Sequence, residues 1–291
     1  MSNGYEALRA GAAWMDLSTR GRILARGRDR ARLLHNITTN EVKKMMPGAG
    51  CYAFLLSPQG RIQADLNLFC FADRFLIDTE PELREKVHQH IRRYIIADQV
   101  ELEDATASTG CLAVEGPEAP ALLGRLGAPL PDADFAHAEW EGRTVARVSA
   151  TGQPGARVFC ASPEDARELA ARLEAAGAPQ ASAAEARTVR IENGKPRYGD
   201  DIRDISLPQE TQQMHGVAFN KGCYIGQEIV ERIRAQGHVN RKLMRLELEG
   251  GAPPEPGAKT TFEGNEAEIT SAIVSPASGR VVALAYVRVP R

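Results

Sequence analysis

The chain has 291 residues, 43% of them hydrophobic and 25% charged, which is ample apolar material for two or three folded domains. Its net charge of −2 and pI near 6.3 give no whole-protein attraction to nucleic acid. No apolar stretch approaches the roughly 20 residues that cross a bilayer, and Met1 to Ala10 shows no cationic segment followed by an apolar run, so neither a membrane span nor a secretory leader is expected.

Between Arg20 and Arg32, six arginines fall at even positions (Arg20, Arg22, Arg26, Arg28, Arg30, Arg32). Asp29 and the apolar residues between them dilute the run, which reads as a solvated surface, and direct nucleic-acid binding is not expected. Cys51 to Ser57 is a compact apolar run, Pro58-Gln59-Gly60 is a turn, and Ile62 to Phe71 alternates, with Ile62, Ala64, Leu66, Leu68 and Cys70 on one face. That pattern is a hairpin. Arg74 to Thr79 reads as a third strand. Pro81 opens a helix with Leu83, Val87, Ile91 and Ile95 on one face, and Val100 to Glu103 returns as a strand.

Cys111 to Val114, Thr144 to Ser149 and Val158 to Cys160 are strand-like. Pro117 to Leu126 is helix-like, and Pro163 to Ala176 is a helix closed by Gly177. Interleaving of this kind, without regular βαβ units, predicts an α+β fold. From Lys242 onward only strands and turns remain: Leu243 to Leu248, Ile269 to Val274 and Val281 to Val289, with Gly- and Pro-rich linkers at Gly250 to Gly257 and Ser275 to Gly279. A small C-terminal β-barrel is expected there. The domain boundaries that follow are 1–110, 111–241 and 242–291.

The five cysteines, Cys51, Cys70, Cys111, Cys160 and Cys223, are scattered, with no CxxC and no zinc or iron–sulfur spacing. Free thiols in a reducing cytoplasm, and no metal ligands, are expected. Cys223 differs from the rest. Lys221-Gly222-Cys223-Tyr224-Ile225-Gly226-Gln227-Glu228 sets it between two glycines just ahead of a predicted helix, which carries Glu228 and Arg232 at i, i+4 and ends at Gly237. A helix N-terminus and a nearby lysine favour a thiolate, the form that attacks or ligates, while Glu228 opposes the effect. Cys223, supported by Lys221, is therefore the candidate catalytic thiol. His215 and His238 flank the block and are weaker candidates as its base. Asp200, Asp201 and Asp204 form an acidic cluster without EF-hand spacing, which reads as a solvated loop.

The block from Lys221 to Glu228, followed by Arg232, resembles the signature of the YgfZ family in the aminomethyltransferase-like (GcvT) superfamily and of its mitochondrial iron–sulfur assembly relatives. Leu33 to Asn40, Leu56 to Arg61, Val114 to Pro117, Arg190 to Gly199 and Leu207 to Glu210 agree in the same order, so the likeness covers nearly the whole chain. It implies a three-domain ring around an opening that holds tetrahydrofolate, with Asp65 near the reacting nitrogens and with Arg190 and Glu192 facing the folate. Gly222, Tyr224, Gly226, Gln227, Glu228 and Arg232 would shape the motif around Cys223. The implied function is that of a folate-binding accessory protein in iron–sulfur cluster assembly or repair. Its partners would be iron–sulfur proteins or assembly factors, and its effect on tRNA modification indirect. The alternative is a folate-dependent aminomethyltransferase like the glycine cleavage T-protein. Two departures weigh against that alternative: Ala64, where those enzymes carry a second acid, and Thr151 to Arg157, which lacks their tyrosine and acids.

Overall fold

The computed structural model describes residues 3–290 and contains strands and helices in three antiparallel sheets. The outer ends of the expected domain ranges, residues 1, 2 and 291, lie outside the described residues. The chain opens with helix α1 (Asn3–Ala10) and strand β1 (Ala13–Asp16). The first sheet then forms from β2 (Gly21–Arg26), β3 (Gly50–Leu56), β4 (Ile62–Cys70), β5 (Arg74–Thr79) and β6 (Glu101–Asp104), in the order β3-β4-β5-β2-β6. Helices α2 (Arg30–Ile37) and α3 (Arg84–Arg93) accompany it.

The predicted hairpin is β3 and β4. Its turn closes with the Gly60 amide donating to the Ser57 carbonyl at 2.9 Å. Gly60 adopts φ +73°, which a side chain would strain. The even face of β4 (Ile62, Ala64, Leu66, Leu68) joins Phe54, Ile23, Val87 and Ile91 in the largest core cluster. Each such aliphatic or aromatic side chain contributes about 1.5–3 kcal/mol on burial.

The second sheet has the order β1-β7-β10-β9-β8, with β7 (Gly110–Glu115), β8 (His137–Trp140), β9 (Arg143–Ala146) and β10 (Gly155–Cys160). β1, the earliest strand, pairs with β7, so the chain visits this sheet before it builds the first. Helices α4 (Ala119–Arg125) and α5 (Pro163–Ala175) pack on it through Leu122, Leu123, Leu169 and Leu173. Ser162 caps α5 by accepting from the Asp165 amide, with Pro163 in the first turn.

Helix α6 (Ala183–Glu192) is absent from the sequence expectations. Its signal was a capping box, Ser182 with Glu185 three residues on, each side chain accepting from the other's backbone amide. Helix α7 (Gln227–Gln236) follows Gly226 and ends at Gly237 in the left-handed region, as the pattern predicts. Among the described residues, no helix is long and apolar enough to cross a membrane.

Three expectations need correction. The C-terminal strands β11 (Arg241–Leu248), β12 (Lys259–Phe262), β13 (Asn265–Val274) and β14 (Val281–Arg288) form an open sheet in the order β11-β14-β13-β12, not a closed barrel. Ile273 and Val282 pack against Ile191 of α6, so a helix covers apolar surface that closure would otherwise have buried. The arginine run is not a solvated face at its start. Arg20 and Arg22 are buried, and Arg22 donates to the carbonyls of Ser18, Arg20, Thr106 and Thr109. Asp201 is likewise no solvated acid. It is fully buried, ion-paired with Arg190, and accepts from the hydroxyls of Thr270 and Ser271 at 2.6 Å. Desolvating a carboxylate is tolerable when donors surround it in this way.

Candidate functional site

A cavity of about 1300 Å³ lies where the two larger sheets and α6 meet. β3 and β4 supply Tyr52, Asp65 and Asn67. The loop before β10 supplies Ser149 to Pro154, and the turn after α6 supplies Lys195 to Arg197. Asp65 stands on the odd face of β4, the face turned away from the first sheet's core, which is why strand alternation delivers it to the cavity.

Tyr52 Oη donates to Asp65 Oδ2 at 2.8 Å. Burial pushes the Asp65 carboxyl up to about 6, and the neighbouring charge of Glu80 adds to the shift. Burial and the same carboxylate raise the Tyr52 phenol well above its ordinary value, so it remains a donor. The Tyr52 ring stacks on His215 at 5.1 Å between centroids, and Phe135 lies 6.0 Å from His215, which gives the cavity an aromatic wall.

Behind this wall sits a buried charge cluster. Asp78, fully buried, accepts from Arg20 Nε and Nη2 at 2.9 Å, from Asn67 Nδ2 at 2.7 Å and from Arg157. Burial alone would raise the Asp78 carboxyl, but Arg157 and Arg20 outweigh it and hold it below the usual carboxylate range. Glu80 pairs with Arg20, and with Arg197 at 3.0 Å. The loop from Ser149 to Thr151 is clamped from behind by the buried Glu115, which accepts from Ser149 Oγ at 2.8 Å and the Thr151 amide at 2.9 Å.

Of the folate-facing residues expected from the sequence, Asp65 and Arg190 line the cavity. Arg190 is engaged with Asp200 at 2.9 Å, with Asp201, and with the Lys195 carbonyl at 2.8 Å, so it holds the turn after α6 in place. Glu192 is outside the cavity lining. It accepts from Tyr5 Oη at 2.8 Å and from Ser275 Oγ, and so ties α1 and the C-terminal sheet to α6. The reading of the sequence missed Tyr52, Arg20, Glu80 and Lys195 as cavity residues, and it gave His215 to the cysteine block rather than to the cavity wall. Tyr52 was findable, because it precedes the hairpin turn on the strand that pairs with β4.

The cysteine block lies elsewhere. Cys223 and Gly222 are exposed on the loop before α7, and no residue from Lys221 to Arg232 lines the cavity. Gly226, at φ +81°, lets this loop pass against the hairpin turn: a Cβ there would sit 2.6 Å from the Ser57 carbonyl oxygen. Lys221 is buried. Its ammonium donates to the carbonyls of His35 and Thr38 and lies 4.9 Å from the Tyr224 ring centroid. Burial lowers its pKa to about 8, against the pull of Glu41 and Cys51. Gln227 Oε1 accepts from the Tyr224 amide at 3.3 Å. Glu228 and Arg232 are exposed, and among the described residues no ion pair joins them. His215 belongs to the aromatic wall and His238 turns to the Gln236 carbonyl, so neither hydrogen-bonds Cys223.

All five cysteines are free. Burial pushes the thiols of Cys51, Cys111 and Cys160 up to about 12 and raises that of Cys70. A thiol-reactive probe at pH 8 is therefore expected to label Cys223 at least about tenfold faster than the others, read by peptide mapping. Equal labelling would show that the loop closes over the sulfur.

A model of the GCVT N-terminal domain matches residues 1–221. An aminomethyltransferase of Rubrobacter xylanophilus is 33% identical to this chain, over 97% of the chain and 78% of its own length. One of Thermus thermophilus is 31% identical, over 97% and 81% respectively. The crystal structure of the glycine cleavage system aminomethyltransferase T from Bartonella henselae shares the fold, with a TM-score of 0.87 at 23% identity, over 98% of this chain and 80% of that one. The superfamily part of the resemblance holds, while nothing in these likenesses singles out the YgfZ branch. The expectation of an accessory protein in iron–sulfur cluster assembly is overturned. Several aminomethyltransferases match along nearly the whole chain, which favours the alternative reading.

Proposed function

Because the chain belongs to the family of the GCVT N-terminal domain, we propose that it is a folate-dependent one-carbon transferase of the aminomethyltransferase type, with Asp65 as its proton-handling group. Proteins of this family use tetrahydrofolate. The cavity suits such a ligand by three features: a carboxylate for pterin N–H groups (Asp65), an aromatic wall (Tyr52, Phe135, His215), and cations for a glutamate tail (Lys195, Arg187). Tetrahydrofolate, when bound, supplies the nitrogens that take up the one-carbon unit.

The observation that carries the reading is Asp65. A cavity-facing carboxyl whose pKa lies at about 6 can hold or release a proton near neutrality. Tyr52, by donating to Oδ2, leaves Oδ1 to face the ligand and fixes the plane of the carboxylate. The test is a tetrahydrofolate titration of the purified protein, followed by an assay for methylene-tetrahydrofolate formed from an aminomethyl-lipoyl carrier. Absence of turnover with that carrier removes the transferase reading.

Three finer statements belong to the same proposal. Placement on the YgfZ branch is supported by the block from Lys221 to Glu228. The three-part division at about residues 110 and 241, with the parts arranged as a ring around the cavity, is supported by the three separate sheets. A cytoplasmic setting is supported by five unpaired cysteines.

A further inference from the structure

Among the described residues, His215 is the one imidazole that lines the cavity. Its backbone is fixed. It sits in a short turn, Met214–Gly216, and Asn40 Nδ2 donates to its carbonyl at 2.9 Å and to the Tyr52 carbonyl at 2.7 Å, so one side-chain amide ties the turn to β3. Thr39 Oγ1 donates to the Gly216 carbonyl. A Cβ at Gly216 would stand 2.9 Å from Tyr52 Cδ1, so glycine lets the turn lie this close to the strand. The imidazole then stacks on Tyr52, whose hydroxyl holds Asp65. His137 Nε2 meets the Cys70 carbonyl and His35 Nδ1 meets Glu41, but neither ring nitrogen of His215 has a hydrogen-bond partner among the described residues.

Most of the cavity's titratable groups are committed elsewhere. Burial pushes the Cys51 thiol up to about 12 and the Tyr52 phenol well above its ordinary value. Burial alone would raise Glu80, but Arg20 and Arg197 hold it down, and Asp134 and Asp200 pair with Arg147 and Arg190. Burial lowers the His215 imidazole below its usual 6.5; Lys195 adds to the shift and Asp134 opposes it. At pH 7, His215 and Asp65, the latter at about 6, therefore both stand in proton-accepting forms, and neither is tied up in an ion pair among the described residues. They meet at Tyr52, one at its hydroxyl and the other on its ring face.

Aminomethyl transfer moves two protons in each turnover. The carbon's bonds to sulfur and to nitrogen break, each electron pair leaving with the departing atom, and two bonds to acceptor nitrogens form. Those nitrogens lose one proton each, and the departing sulfur and nitrogen gain one each, so the exchange balances without an oxidant or other reagent. Two bases carry both protons at once, where a single base has to act twice. We propose that His215 is the second proton carrier of this cavity, working beside Asp65 across the ring of Tyr52. This role rests on the folate-transferase reading. Asp65 takes one proton at Oδ1, the oxygen that Tyr52 leaves free, and His215 takes the other at a ring nitrogen. Each then hands its proton to a departing group, which restores both bases.

The test compares wild type with His215→Phe, which keeps a stacked ring and removes both nitrogens, and with His215→Gln, which removes the ring. Tetrahydrofolate affinity is read by calorimetric titration, and kcat with the aminomethyl-lipoyl carrier is followed from about pH 4.5 to 8. Both variants are expected to lose about 10²-fold in kcat, with His215→Phe binding tetrahydrofolate within about twofold of wild type. On the acid side, wild-type kcat is expected to fall about 100-fold per pH unit, because two bases must be free, and that of either variant about tenfold. A readout independent of turnover is the ring-proton NMR signal of His215, identified by its loss in His215→Phe. Its midpoint is expected below 6.5 and displaced by tetrahydrofolate; a signal that ignores bound ligand overturns the proposal. Wild-type kcat and acid limb in His215→Phe also overturn it, as does a loss confined to tetrahydrofolate affinity, since His215 is then wall alone. A wild type that fails to bind tetrahydrofolate or to turn over the carrier sinks the transferase reading and this role with it, whereas an active wild type beside an unaffected His215→Phe sinks the role alone.

Discussion

Asp65→Asn is expected to abolish one-carbon transfer while making the protein slightly more stable at neutral pH. The amide keeps an oxygen for the Tyr52 hydroxyl, so the contact at 2.8 Å survives, but it can neither take up nor release a proton. Loss of a general acid or base lowers kcat by about 10²–10⁴-fold. The stability effect has the opposite sign. An unfolded aspartate releases its proton near pH 3.9, and the folded protein holds it up to about pH 6. Between those values the folded state binds more protons, so stability falls as pH rises through that window. At pH 7 the ionised carboxylate weighs against the fold by at most about 3 kcal/mol, and water in the cavity reduces this to on the order of 1 kcal/mol. Urea unfolding at pH 7.5 is expected to show Asp65→Asn stabilised, and at pH 4 to show no difference from wild type. A variant that is both inactive and destabilised at pH 7.5 would mean that Asp65 serves the fold and not the reaction.

Asp78→Ala is expected to be the most damaging single change outside the hydrophobic core. Asp78 is the common acceptor for Arg20 and Arg157, all three are buried, and they join the first sheet to β10 of the second. Removing the carboxylate leaves Arg157 without an ion-pair partner among the described residues and Arg20 with Glu80 alone. Breaking a buried pair in this way costs about 3–5 kcal/mol, a large part of the stability of a typical domain. The pH behaviour follows from the lowered carboxyl. Its contribution is fully present above the unfolded value near 3.9 and is lost as pH falls through the lower folded value. The variant should therefore show a lower urea midpoint at pH 7 and a flatter loss of stability on acidification. A change below about 1 kcal/mol would show that water reaches the cluster.

Much of the local structure could be read from residue order. The hairpin around Pro58-Gln59-Gly60, the helix opened by Pro81, the capped helix at Pro163 and the glycine-bounded helix α7 all follow from periodicity and punctuation. These signals act within a few residues, where backbone sterics and side-chain facing decide the outcome. Ser182 and Glu185 show the limit: α6 has a complete cap, but its apolar face is weak and invites no helix by pattern alone. The cysteine block shows another. Its composition suggested a thiol aided by lysine, whereas folding turns the lysine onto two carbonyls 183 and 186 positions away in sequence.

By itself the sequence determined the superfamily, the hairpin that carries Asp65, the helices opened at Pro81 and Pro163, and one cysteine unlike the rest. Only the tertiary structure decided which polar groups meet: Asp78 with Arg157, 79 positions apart, and Asp201 with the Ser271 hydroxyl, 70 apart. It also decided that Asp65 opens to the cavity while Cys223 does not. The physical reason is range. Strand and helix propensities act between near neighbours, whereas ion pairing and pKa depend on desolvation and on distances of a few ångströms, which exist only once distant segments have packed together.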